Sequence, residues 1–585
     1  MRSYRLAGLA VTAAAALIVT STPAATAAEH ASITVMETSD LHGNVFNWDY
    51  YTNAEYDDSD ANDVGLAKIS SAVEGVRADR GRDRTMLIDN GDILQGTPLS
   101  YYYAKVEPVT ETGETHPMAK AMNAIGYDSV TVGNHEFNYG LDLLDTFRKQ
   151  IEAPVLGANV SDERTHLPAY QPFTLKKVDT GAGKPVTVGV LGLTTPGSAI
   201  WDKGNVEGKL GFGDMVQSAK FWVPIMKAFG AEVVVASSHA GDDGTSSYGD
   251  ELPTENASAQ IAEEVPGIDA VLFGHQHKDV PQRFVKNKLT GKDVLLTEPA
   301  KWGQRLSVVD FDLERKHGRW QVAGASSEAV NTNTVPEDPK ITELLRPQHD
   351  KTVEYVNETV AESSQELSAA ESRLKDTPIV DFIQKVQTDT VEAALEGTPQ
   401  AELPVLSQAS PFSRTAKFPA GPVTVRDIAG LYIYDNTLEA VTLTGAQVKE
   451  YLEFSAGYYN QLAPGAPVDP EALTNAGGLP DYNYDMLAGV DYDVDVAKPV
   501  GERIVNLSRD GVAVTPEQEF VLAVNNYRRS GGGNFPQVPA APVVYNEQVE
   551  IRQALIDTAT ESGVIDPADF AVPNWKLVRE GVPVF

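Results

Sequence analysis

Five times between residues 33 and 277, a short apolar run stops at residue types that hold cations. Residues 33–36 (Ile-Thr-Val-Met) lead into Asp40 and His42, and residues 86–88 (Met-Leu-Ile) into Asp89 and Asp92. Residues 130–132 (Val-Thr-Val) lead through Gly133 into Asn134 and His135. Residues 233–235 (Val-Val-Val) reach His239 after three small residues, and residues 270–273 (Ala-Val-Leu-Phe) end in Gly274, His275 and His277. Short apolar runs of this kind read as buried strands. Helical periodicity lies between them, at 141–151, 215–229 and 257–264. Strands alternating with helices predict an α/β domain with its sheet covered on both sides. Ligand sites in such folds collect at the carboxyl ends of strands, where all five polar endings would lie.

Alone, the Gly-Asn-His-Glu of residues 133–136 could be an ordinary turn; its four companions decide for a site. Five of the ten histidines, at 42, 135, 239, 275 and 277, follow directly on expected strands. With Asp40, Asp92 and Asn134 they make a nitrogen-and-oxygen donor set, and the chain has no cysteine. Such donors suit zinc, manganese or iron, without choosing among them. A carboxylate such as Asp92 can bridge two ions, and two ions roughly 3.5–4 Å apart can clamp a phosphoryl group and activate water.

A chain of 585 residues exceeds one core, so two large domains are expected. Arg2 and Arg5, an apolar alanine-rich run and small residues at 25–27 read as a secretory signal over 1–28. No later run reaches transmembrane length. The expected protein is therefore exported, either secreted to the extracellular space or held in the periplasm or cell envelope, with no membrane span. Its net charge of −35 repels duplex nucleic acid, so an anionic substrate needs local positive charge, most simply from metal. The α/β pattern runs over 29–335, a polar, helix-favouring stretch over 336–375 reads as a linker helix, and a second region occupies 376–585. Asp491, Asp493, Asp495 and Glu502 imitate calcium-loop spacing. Val496 stands where that loop needs glycine, and the alternation reads as a strand.

The order Asp-x-His, Gly-Asp, Gly-Asn-His-Glu, His-Ala-Gly, Gly-His-x-His resembles the calcineurin-like metallophosphoesterases. Together with DNGDILQGTP at 89–98 and GNHEFNYGLDLL at 133–144, the similarity runs from about 33 to 575 and is nearest the bacterial 2′,3′-cyclic-nucleotide 2′-phosphodiesterase/3′-nucleotidase group. That resemblance implies an αββα sandwich joined by a linker helix to an α+β substrate domain. It implies two divalent ions, one on Asp40, His42, Asp92 and His277, the other on Asp92, Asn134, His239 and His275. His135 would be no ligand; it would stabilise charge on the phosphoryl oxygens and protonate the leaving ribose oxygen. Tyr434 and Tyr527 match the aromatic pair that sandwiches the base, and Asn436, Asn525, Gly532 and Gly533 would shape the pocket rim. The expected protein is a monomer that hydrolyses nucleotides, tolerant of base because every base has a π-face. The 5′-nucleotidases carry aspartate where Asn138 stands, to orient the imidazole. Asn138 therefore argues against a 5′-nucleotidase or nucleotide-sugar hydrolase and leaves open what orients His135. The arginine cluster that grips phosphate in that branch is incomplete, with Arg414, Arg426 and Arg528 as loose candidates. A catalytically inactive nucleotide-binding descendant would have no need of His135.

Overall fold

The computed structural model describes residues 29–585 apart from 245, 247, 249–251 and 548; the expected export signal at 1–28 lies outside the described residues. Two six-stranded sheets dominate the first half. In one, His30–Thr38 pairs in parallel with Thr85–Asp89, followed by Ser129–Thr131 and Val155–Leu156, while Arg305–Lys316 and Arg319–Asn331 close the other side antiparallel. In the other, Val186–Thr194, Val233–His239, Ala270–Phe273 and Asp293–Pro299 run parallel between two antiparallel edge strands.

The alternation of side chains along a strand explains why these runs are apolar throughout. Val233 and Val235 point into the core between the sheets, with Ile33, Val35, Met86, Ile88, Val188 and Leu272. Val234 and Ala236 point the other way, against helices Met215–Ala228 and Ser258–Glu264. Met36, Leu87 and Val130 likewise pack on helices Leu66–Arg80 and Pro117–Ile125. One run thus feeds two cores, and the layers are helix, sheet, sheet, helix.

Over 336–375, the expectation of one linker helix is corrected. The helix is Pro339–Val356, capped by Asp338, whose side chain accepts from the Lys340 N–H. Its buried stripe, Ile341, Leu345, His349, Thr352 and Val356, docks on the first domain, and Ile341, Leu345 and Val356 belong to that domain's core. Beyond Asn357 the chain becomes a strand, Thr359–Ser363, pairing with Gly421–Thr424 and Val564–Ile565. The polar look of this stretch comes from the helix's wide solvent face and a strand whose buried positions are only Ala361 and Ser363.

The second region has one continuous core. Its main sheet centres on Glu519–Asn525, flanked by Val405–Ala409 and Leu438–Thr444, with helix Pro378–Leu395 packed on it. Asp491–Asp495 is a strand of a second sheet, as its alternation predicts. Arg528 and Asp485 form an ion pair at 2.8 Å with neither side chain exposed. Ser410 and Tyr451 hydroxyls also donate to Asp485, which ties residues 482–485 to the helical turn Asn526–Arg529.

Candidate metal centre and nucleoside pocket

The five strand endings converge. Asp40, His42 and His277 form one group whose ligand atoms lie within 4.8 Å of one another, and Asp92, His239 and His275 form a second. Asp92 connects them: its Oδ2 is 3.1 Å from His239 Nε2 and 3.8 Å from His42 Nε2. Asn134 Oδ1 lies 3.2 Å from His239 Nε2, and His277 Nε2 lies 3.3 Å from Asp40 Oδ1. The turns that achieve this are strained, because Asp40, His42, Asp92, His275 and His277 all adopt positive φ, between 46° and 76°. Left-handed backbone at non-glycine residues is costly and concentrates at functional sites. Close approach does the rest. A Cβ on Gly133 would sit 2.3 Å from Asp92 Oδ1, and one on Gly274 1.9 Å from Ser39 Oγ.

Partners behind the ring nitrogens decide which atom faces the centre. His42 Nδ1–H donates to the Gln95 carbonyl at 2.9 Å and His239 Nδ1–H to the Asn90 carbonyl at 2.7 Å, so both turn Nε2 inward. His275 places Nε2 3.1 Å from Glu255 Oε1, leaving Nδ1 for the centre. Glu136 accepts from the N–H groups of Asp92, Ile93 and Gly133 and so fastens two of the loops together.

The electrostatics fit a cation. Burial pushes Asp92 up, but His239 and His135 outweigh it and hold the carboxyl well below its ordinary range. Burial lowers His42 to about 3 and keeps it neutral, as a ligand must be. His239 is pushed down by burial yet lifted to about 10 by Asp92, Asp40 and Glu136, so it holds a proton that a cation would replace. His42 Nε2 and His277 Nε2 lie 3.2 Å apart, close enough for one ion to take both.

His135 stands at the edge of this group, its ring 5.1 Å from that of His42 and its N–H donating to Asp92 Oδ1 at 2.8 Å. Its Nδ1 lies 2.6 Å from Asn138 Oδ1. Asn138 in turn donates from Nδ2 to Asp202 Oδ1 at 2.7 Å.

Across the domain boundary, Asp435 Oδ2 accepts from Gln95 Nε2 at 2.7 Å and from the Tyr139 hydroxyl at 2.8 Å, and its Oδ1 pairs with Arg552. Gln95 therefore joins the backing of His42 to the residue beside Tyr434. Tyr434 is half-buried, with Tyr482 at 6.0 Å and Phe412 at 5.9 Å, both edge to face. A Cβ on Gly532 would sit 2.5 Å from the Tyr527 ring, so only glycine lets that ring lie on the backbone. Gly533, at φ 75°, lies over Asn483 and Arg528. Asn436 donates to the Tyr432 hydroxyl. Asn525 is buried, with Oδ1 capping the Arg528 N–H and Nδ2 donating to Gln408, so it braces the turn that carries Tyr527. Arg528 is committed to Asp485, Arg414 pairs with Asp481, and Arg426 donates to the Thr52 carbonyl.

Residues 33–279 match the calcineurin-like phosphoesterase family and residues 356–540 the 5′-nucleotidase C-terminal domain. The chain is 33% identical to the 2′,3′-cyclic-nucleotide 2′-phosphodiesterase/3′-nucleotidase of Salmonella typhimurium, over 96% of this chain and 91% of that one. It belongs to that family. A Yersinia enterocolitica protein of the same name is 34% identical over 96% of this chain and 90% of its own. The trifunctional nucleotide phosphoesterase YfkN of Bacillus subtilis is 35% identical over 94% of this chain, which spans 39% of YfkN's length. A 5′-nucleotidase precursor from Thermus thermophilus shares the fold, with a TM-score of 0.61 at 21% identity over 94% of this chain and 99% of that one. Membership makes the chain a metal-dependent phosphoric ester hydrolase using two divalent cations.

Four residues around the centre were not legible in sequence: Glu136, Trp201, Asp202 and Glu255. Glu136 lies inside the Gly-Asn-His-Glu motif and could have been suspected. Trp201, stacked on His275 at 5.5 Å, sits with Asp202 in a stretch without periodicity, and only the fold delivers them.

Proposed function

We propose that the protein opens 2′,3′-cyclic nucleotides to 3′-nucleotides and then removes the 3′-phosphate, releasing nucleoside and phosphate. The observation that carries this is the pair of ligand groups joined through Asp92, with His135 beside them and Gln95 linking the backing of His42 to Asp435, the neighbour of Tyr434. Asp40, His42, Asp92 and His277 would hold one cation, and Asp92, Asn134, His239 and His275 the other. When bound, the two ions supply a clamp for phosphoryl oxygens and an activated water. Phosphoryl transfer asks little covalent chemistry of the protein, so the side chains act by positioning and charge. His135 stabilises the phosphoryl oxygens and delivers a proton to the leaving ribose oxygen. Tyr434 and Tyr527 stack the base, with Asn436, Gly532 and Gly533 at the rim. No helix among the described residues is long and apolar enough to cross a membrane.

Product analysis with 2′,3′-cyclic AMP, 3′-AMP and 5′-AMP, with and without chelator, tests this. Turnover is expected of the first two, lost with chelator and restored by added divalent metal, with similar KM for 3′-nucleotides of all four bases. Fast release from 5′-AMP alone would make it a 5′-nucleotidase. No turnover of any of the three would make it a binding protein.

A further inference from the structure

His135 faces an amide, and an amide has no fixed polarity toward its neighbour. Rotated by half a turn, Asn138 would present an NH₂ group to the imidazole in place of its carbonyl, opposing a proton on Nδ1 and with it the charged form of the ring. Something must hold the amide, and Asp202 is placed to do it. A carboxylate oxygen accepts hydrogen bonds and does not donate, so the Asn138 atom 2.7 Å from Asp202 Oδ1 has to be Nδ2. The atom 2.6 Å from His135 Nδ1 is then the carbonyl oxygen, which requires the proton on Nδ1. Nε2, at the other end of the ring, is left for the substrate.

The surroundings of Asp202 favour this assignment. It is 3% exposed, and its Oδ2 has no hydrogen-bond partner among the described residues. Burial raises the pKa of its carboxyl, and the Asn138 Nδ2–H together with His135 pulls it back toward the ionised, accepting form that the assignment requires. A buried carboxylate with one unsatisfied oxygen weakens a fold, and such groups call for a functional reason. The segment that carries it also grips the turn by its main chain, since Asn205 Nδ2 donates to the carbonyls of Phe137 at 3.0 Å and Asn138 at 3.1 Å.

We propose that Asp202 is a positioning residue for His135: by fixing the orientation of the Asn138 amide, it keeps the imidazole Nδ1–H donating to the Asn138 carbonyl and so aims Nε2, with the proton His135 delivers, at the phosphoryl group. This rests on the role assigned to His135 above. Where a 5′-nucleotidase sets its carboxylate directly on the imidazole, this chain sets it one residue further out.

The test is a kinetic comparison of metal-loaded D202N, the exchanged pair N138D/D202N, and H135A, each with its metal content measured, using 3′-AMP. D202N keeps the shape but can offer its own NH₂ to Asn138, so the amide is no longer held. Its kcat should fall by about 10–100-fold with KM and metal content unchanged, the usual scale for a partner one shell behind a reacting group. In the exchanged pair the introduced carboxylate accepts directly from His135, and most of the lost kcat should return. A wild-type kcat in D202N while H135A is impaired would overturn the proposal and leave the role of His135 intact. An exchanged pair no better than D202N, or a change confined to KM, would also overturn it, since either would make Asp202 merely structural. A wild-type kcat in H135A would remove the reading of His135 itself, and this proposal with it.

Discussion

Replacing Asp92 by alanine is expected to empty both halves of the centre at once. Its carboxylate touches both groups: Oδ2 lies within 3.8 Å of ring nitrogens from each, and Oδ1 accepts from the His135 main-chain N–H. Without it, His239 also loses the chief partner that keeps it charged in a buried position. Metal content should drop from two ions per chain to near none, and kcat should fall by at least about 10³, since the groups that stabilise the phosphoryl charge go with the ions. Elemental analysis of the purified variant, beside its turnover of 3′-AMP, checks both halves. Two ions retained at full activity would mean that Asp92 bridges nothing.

His135→Ala should behave differently. The imidazole stands beside the ligand groups and is fastened to Asn138, so its loss should leave both ions in place. A positioned acid or charge-stabilising group contributes about 10²–10⁴ in rate, and kcat should fall by that much with little change in KM. Metal lost together with activity would make His135 a ligand, contrary to its proposed role. The contrast between the two variants, one emptied and inactive and the other loaded and inactive, separates holding the ions from using them.

Much of this was readable before any coordinates, for identifiable reasons. An uninterrupted apolar run such as residues 233–235 has few options but a strand buried on both faces, and a glycine, histidine or aspartate directly after it marks the turn. Five such endings located the centre. Their left-handed backbone was not readable, because Asp, His and Asn occupy that region only where the surrounding fold forces it. The helix Pro339–Val356 was read too long and too loosely attached, since its stripe of five buried residues is narrow against a polar background. Asn525 was expected at a pocket rim and is buried, capping the turn that carries Tyr527. Arg528 looked available for phosphate, yet Asp485, 43 residues earlier, claims it. Tyr482, Glu255 and Asp202 are in the same class. Each is brought in by a long-range contact from a loop whose local pattern says nothing of what it will face.

The most direct test is an anomalous-scattering map from crystals of the protein carrying its native metals. Two peaks should appear, one on each side of Asp92, the first within the grasp of Asp40, His42 and His277 and the second among Asn134, His239 and His275. A single peak, or two that do not share Asp92, would contradict the two-cation centre on which the proposed chemistry depends.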